Sequence, residues 1–157
     1  MVANRKEKKK YFTPEQANAM LPLVRSIVKD ISELAHGLRD RQTRLNRLSQ
    51  GGVGQGLIAQ DQLEEEQAAW ERDSERLQEC VTELSGLGVE MKDLFTGLVD
   101  FPGLMEGREV CLCWKLGEPR LDWWHETNAG FAGRQRLNLD GKDSKSETRD
   151  RESGAAH

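Results

Sequence analysis

The chain has 157 residues, of which 36% are hydrophobic and 32% charged, and its net charge is −4. That length suits one domain with tails to subtract, and the negative balance argues against a nucleic-acid binder. No apolar run approaches the ~18 residues of a membrane span, and the basic start (Arg5, Lys6, Lys8, Lys9, Lys10) lacks the apolar stretch of a secretory signal.

Residues 1–10 read as a flexible basic arm, and 138–157 as a polar tail with too little to bury to offset its ordering entropy. Between them, 11–137 reads as a single α+β domain. Cys80, Cys111 and Cys113, an odd set with no export signal, read as free thiols of a cytoplasmic protein.

The ordered part opens on "YFTPEQANAMLP". Thr13 suits an N-cap, Pro14 the first helical position, and Gln16 the far corner of a capping box. Pro22 lacks an N–H and should end or kink that start, which places the long helix at about 22–49. Val24, Ile31, Leu38 and Leu45 recur every seven residues, as do Ile27 and Leu34, with Arg41 breaking the second row. That is a heptad seam. "GGVGQG" at 51–56 reads as a hairpin loop, because Leu57 stands where a dinucleotide fingerprint needs its last Gly. A second helix spans about 59–85, with Leu63, Trp70, Leu77 and Leu84 again seven apart. The two make a long antiparallel, coiled-coil-like hairpin over about 22–86. A bare pair buries one stripe per helix, so a homodimer through the hairpin is expected. His36 falls on the solvent side of its helix.

After Gly88 the period shortens to two. "VEMKDL", "GLVDFP", "REVCLCWK" and "RLDWWHE" predict a small four-stranded antiparallel meander within 88–137, with turns at Thr96-Gly97, Pro102-Gly103 with Glu106-Gly107, and Gly117-Glu118-Pro119. Alternation puts Val110, Leu112 and Trp114 on one face of the third strand. If Leu121 joins that core, Trp123 and His125 follow it, and Cys111 and Cys113 fall with Asp122, Trp124 and Glu126 on the other side.

The chemistry concentrates in "WWHETNAGFAGR", 123–134. Trp114, Trp124, His125, Glu126, Gly130, Gly133 and Arg134 form the candidate ligand site, with Asp93, Asp100 and Glu118 in support. The glycines permit inward-turned amides and Arg134 supplies a cationic fork, so a small anionic ligand is the expected occupant. The opposing expectation is an aromatic plug in which Phe131 packs on the sheet and Arg134 pairs with Asp100, Glu118 or Glu126. No metal set is assigned: "HETNA" has Ala129 where H-E-x-x-H needs His, and C-x-C with Glu126 gives only three donors. No cofactor, reaction or catalytic residue follows from these residues.

One run joins these motifs: Leu112, Cys113, Trp114, Leu116, Gly117 and Glu118, then Trp124, His125 and Glu126, then Gly130, Phe131, Gly133 and Arg134, with Lys92, Asp93 and Gly97 to Pro102 upstream. With "YFTPEQANAMLPLV" it resembles a bacterial family catalogued as domain of unknown function 2203 (DUF2203), over nearly all of 11–137. The resemblance implies a shared fold and motif map, not an activity. The functional expectation is therefore a small-ligand or partner-binding protein. The alternatives are a helical interaction module with a purely structural sheet, and a metal-dependent enzyme using His125 and Glu126.

Overall fold

A computed structural model describes residues 10–50 and 56–137. The expectations for residues 1–9, the loop at 51–55 and the tail from 138 lie outside the described residues. Two long helices, α1 (Pro14–Ser49) and α2 (Gly56–Gly86), are followed by five strands: β1 (Glu90–Asp93), β2 (Leu98–Met105), β3 (Arg108–Lys115), β4 (Trp123–Glu126) and β5 (Gln135–Arg136). The strands form one antiparallel sheet in chain order, so the class is α+β. β5 is one strand more than the sequence predicts; at two residues it is too short to leave a periodic signal.

α1 begins at Pro14, not near Pro22. The Thr13 hydroxyl accepts from Gln16 N, and Gln16 Oε1 accepts from Thr13 N, closing the capping box. Pro22 sits inside the helix without ending it. The flanking turns are held by packing, since Ala17, Leu21 and Val24 are all buried, and by Asn18, whose side chain bonds both the N–H and the carbonyl of Leu121. Tertiary contacts thus override the local cost of the proline.

The heptad seam is buried nearest the sheet, at Val24, Ile27, Ile31 and Leu84, and only half-buried farther out, at Leu38, Leu45, Leu63 and Trp70. Arg41, the break in the pattern, reaches Glu66 at 3.0 Å and Asp73 at 3.6 Å on α2, so the gap in the apolar row is filled by an interhelical ion pair. His36 is exposed, but its Nε2 lies 3.1 Å from the Phe95 carbonyl, fastening α1 to the β1–β2 turn.

The sheet lays one face on the helices. Val99, Phe101, Val110, Leu112 and Trp114 join Val24, Val28, Ile31 and Leu84 in one core. Pro102-Gly103 is not a turn but lies within β2, opposite Cys111 and Val110. The carbonyl of Pro102 accepts from Phe12 N at 2.8 Å, on the side away from β3. In a strand a residue's N–H and C=O point the same way, so the missing N–H removes no bond to β3. A Cβ on Gly103 would come 2.9 Å from Leu112 and 3.2 Å from the Phe12 carbonyl, so only glycine lets that extra segment close on β2. The true turn is Glu106-Gly107. Both residues have positive φ, 53° and 80°, as a two-residue hairpin turn requires.

The fourth strand differs from the sequence expectation. β4 pairs with β3 as Cys111↔His125, Leu112↔Trp124 and Cys113↔Trp123. Trp123 and His125 therefore share a face with Cys111 and Cys113, while Trp124 and Glu126 share the face of Leu112 and Val110. Leu121 is fully buried, as expected, but it precedes β4. Its backbone is anchored to Asn18 rather than to β3, so the two-residue alternation does not run through Asp122, and every side chain of β4 is inverted.

Candidate functional site

The sheet face turned away from the helices carries a buried polar cluster. Cys113 is the direct partner of Asp100 on β2, and Cys111 the direct partner of His125 on β4. With strands ~4.8 Å apart, the backbones of Asp100 and His125 stand about 10 Å apart across β3. Their side chains meet above it: His125 Nε2 lies 3.1 and 3.2 Å from the two carboxylate oxygens. Asp100 is 3% exposed, Cys113 0% and His125 4%. One ligand atom from each of these three lies within 4.8 Å of the others.

The imidazole is oriented from behind. His125 Nδ1 is 2.7 Å from the Glu126 carbonyl. A carbonyl can only accept, so Nδ1 carries a proton and Nε2 is the nitrogen presented to Asp100 and Cys113. The thiols are held in their neutral form. Burial pushes Cys113 up to about 12, reinforced by the Asp100 carboxylate and opposed by the nearby Arg134. Cys111, half-buried, is pushed up to about 11, again by burial first and Asp100 second. The carboxylate is met by the imidazole, and it stands near enough to both thiols to disfavour their ionisation. Burying such a group unpaired would be costly.

The "NAGFAGR" segment lies over this end of the sheet. Gly133 N and Arg134 N donate to the carbonyls of Gly130 and Phe131, forming a short 3-10 turn at Phe131–Gly133. Those amides close the turn instead of opening toward a ligand. The Arg134 guanidinium sits 4.7 Å from the Trp123 ring centre and 4.5 Å from that of Phe131. It donates to Glu118 Oε1 at 2.7 Å, and that oxygen also accepts from Lys115 N. Arg134 Nε is buried with no hydrogen-bond partner.

The expected site residues therefore separate. His125 and Asp100 come together, and Cys113, left out of the expected site, joins them. Arg134, Glu118, Gly130 and Gly133 form the neighbouring cover. Trp114 is fully buried on the opposite face, with its Nε1–H on the Glu118 carbonyl at 3.0 Å. Trp124 lies on that face too. Glu126 points to the same side at the rim, where Arg108 binds it at 2.6 Å and holds its carboxyl below the usual range. It cannot share an ion with His125; only its main-chain oxygen takes part. Asp93 is exposed and accepts from Phe95 N and Thr96 N, capping the first hairpin turn rather than joining the cluster.

One signal for Cys113 was present in the sequence. A two-residue turn at Glu106-Gly107 fixes the β2–β3 register, and counting back from it places Asp100 opposite Cys113.

The fold is that of a long helical hairpin followed by a small antiparallel sheet. The chain belongs to the DUF2203 family of uncharacterised conserved proteins, whose model matches residues 10–137. No curated protein and no solved structure matches the chain. Among the described residues, no helix is long and apolar enough to cross a membrane.

Proposed function

We propose that this protein is a binding module whose sheet holds one divalent cation of the zinc class, through Nε2 of His125, Sγ of Cys113 and a carboxylate oxygen of Asp100. The carrying observation is the convergence of three buried ligand atoms within 4.8 Å, with the imidazole aimed by its Nδ1–H on a carbonyl. A ligating histidine commonly donates its other nitrogen in this way. Mixed sulfur, nitrogen and oxygen donors suit zinc better than magnesium or calcium. Burial of all three supports a structural ion over a catalytic one, which would keep a position open to substrate. A small anion is a weaker fit, because it would have to displace Glu118 from Arg134 and would meet the Asp100 carboxylate near His125.

The test is zinc titration of the untagged, chelator-stripped full chain against a competing chromophoric chelator. One ion per chain is expected, with Asp100→Ala and Cys113→Ala each abolishing stoichiometric uptake. A folded wild-type chain that takes up no zinc overturns the reading.

A second reading, compatible with the first, concerns the outer half of the hairpin. Leu45, Leu63 and Trp70 line a groove of about 310 Å³ between α1 and α2. Half-buried apolar residues at heptad spacing favour a second copy of the chain there. Sedimentation at rising concentration tests this: a dimer that Trp70→Glu dissociates is expected, and a monomer throughout rejects it.

A further inference from the structure

We infer that Cys111 is the fourth ligand of this cation, closing the site into a Cys-Cys-His-Asp tetrahedron that staples β2, β3 and β4 together. The inference rests on the three-ligand reading above and adds the group that completes it. Three protein donors leave one tetrahedral position, and in structural sites that position is filled by protein. Cys111 is the donor placed to fill it. It is two residues from Cys113 on the same face of β3 and directly opposite His125 on β4.

The other groups on this face are worse placed. Glu90, opposite Asp100, is exposed and bridges Lys92 at 3.5 Å. Trp123 offers no lone pair, and Lys115 is directed over the Phe131 ring at 5.1 Å. As the thiol now stands, Cys111 is outside the trio that meets within 4.8 Å. Rotation about its one heavy-atom side-chain torsion, among three staggered positions, brings the sulfur toward or away from the Asp100–His125 contact. Asp100 pairs at the level of Cys113 and His125 at the level of Cys111, so an ion held by Asp100, Cys113 and His125 lies over the stretch of β3 that carries both sulfurs. On binding, each thiol exchanges its S–H proton for a bond to the metal, Nε2 gives up the proton it shares with Asp100, and these protons pass to solvent. Cys111 is also the one cysteine of the pair that solvent partly reaches, which makes it the arm that closes last and opens first.

Cobalt(II) reports this directly, because its sulfur-to-metal charge-transfer absorption grows with the number of thiolates bound. The stripped full-length chain is loaded with one equivalent of cobalt and compared with Cys111→Ala, Cys111→Ser and Cys113→Ala. Circular dichroism of each metal-free variant establishes that it folds. The inference expects about half the wild-type band in both Cys111 variants. It also expects retention against a chelator at least about ten-fold weaker, the loss that even an outer-shell partner brings. Unchanged band and retention in folded Cys111 variants overturn Cys111 as a ligand and leave the three-ligand reading standing. Failure of the wild-type chain to bind cobalt or zinc overturns both.

Discussion

Both faces of the sheet bury side chains, yet by different physics. The face on α1 and α2 is dry and apolar: Val99, Phe101, Val110, Leu112 and Trp114 interlock with the helices. The other face buries Asp100, Cys113 and His125 beneath the cover that Trp123, Phe131, Arg134 and Glu118 build. The first is stabilised by area removed from water. The second burial costs free energy unless every polar group is matched. A fold gains little stability from such a cluster.

Substitutions sharpen this contrast, beginning with the largest expected effect. Trp114→Ala should cost about 3–5 kcal/mol by urea denaturation, whether or not zinc is present, as emptying an apolar core does. A loss that zinc rescues would break the distinction between the faces. In metal-free protein, Asp100→Ala and His125→Ala should each cost about 3 kcal/mol, since each strands its partner in a dry site. The double variant should cost much less than the two together, and strict additivity would show that the pair does not act as a unit.

Alkali should act on the polar face through its cysteines. The Cys113 thiol is held up to about 12, above the ordinary value of 9.0. Below the ordinary value both folded and unfolded thiols keep their protons, and the contribution is fully present. As pH rises toward 12 the unfolded thiol ionises first, so metal-free protein should lose on the order of 1 kcal/mol per pH unit from this group. Cys113→Ala should flatten that slope, and an identical slope would refute the assignment. Glu118→Ala frees Arg134 and the Lys115 amide and should cost about 1–2 kcal/mol. It should also open Cys113 to alkylation at pH 8, and continued protection would show that the cover stays closed without Glu118.

Smallest of all is Arg108→Ala. Its partner Glu126 is adjacent to His125 in sequence but lies at an exposed rim, where water screens the ion pair, so urea denaturation should show almost no change. Two carboxylates near one histidine thus carry very different weight, decided by which face each is on.

Much of this was legible in the residues. The capping box at Thr13-Gln16, the heptad rows, the helix ends near Ser49 and Gly86 and the strand segments each depend on local spacing. Arg41 was visible as a fault in the seam, though not its pairing with Glu66 and Asp73. The candidate site was legible in part: His125, Asp100, Glu118 and Arg134 were named and Glu118 was among the expected partners of Arg134, but the meeting of His125, Asp100 and Cys113 was not. Trp114 and Trp124 drew notice because they are aromatic and near His125, a signal that says nothing about which face they occupy. Leu121 misled, because a buried residue just outside a strand looks in sequence like the first residue of its alternation.

By itself the sequence determined the elements, their order and class, since helix and strand periods are written within a few residues of each position. Only the tertiary structure decided which side of the sheet His125 faces and that Asp100 and Cys113 meet it there. The link between β3 and β4 is an irregular segment, and its parity is set by Asn18 holding Leu121 from over a hundred positions away. A one-residue difference in how that segment is tethered inverts the strand, and no local pattern carries that choice.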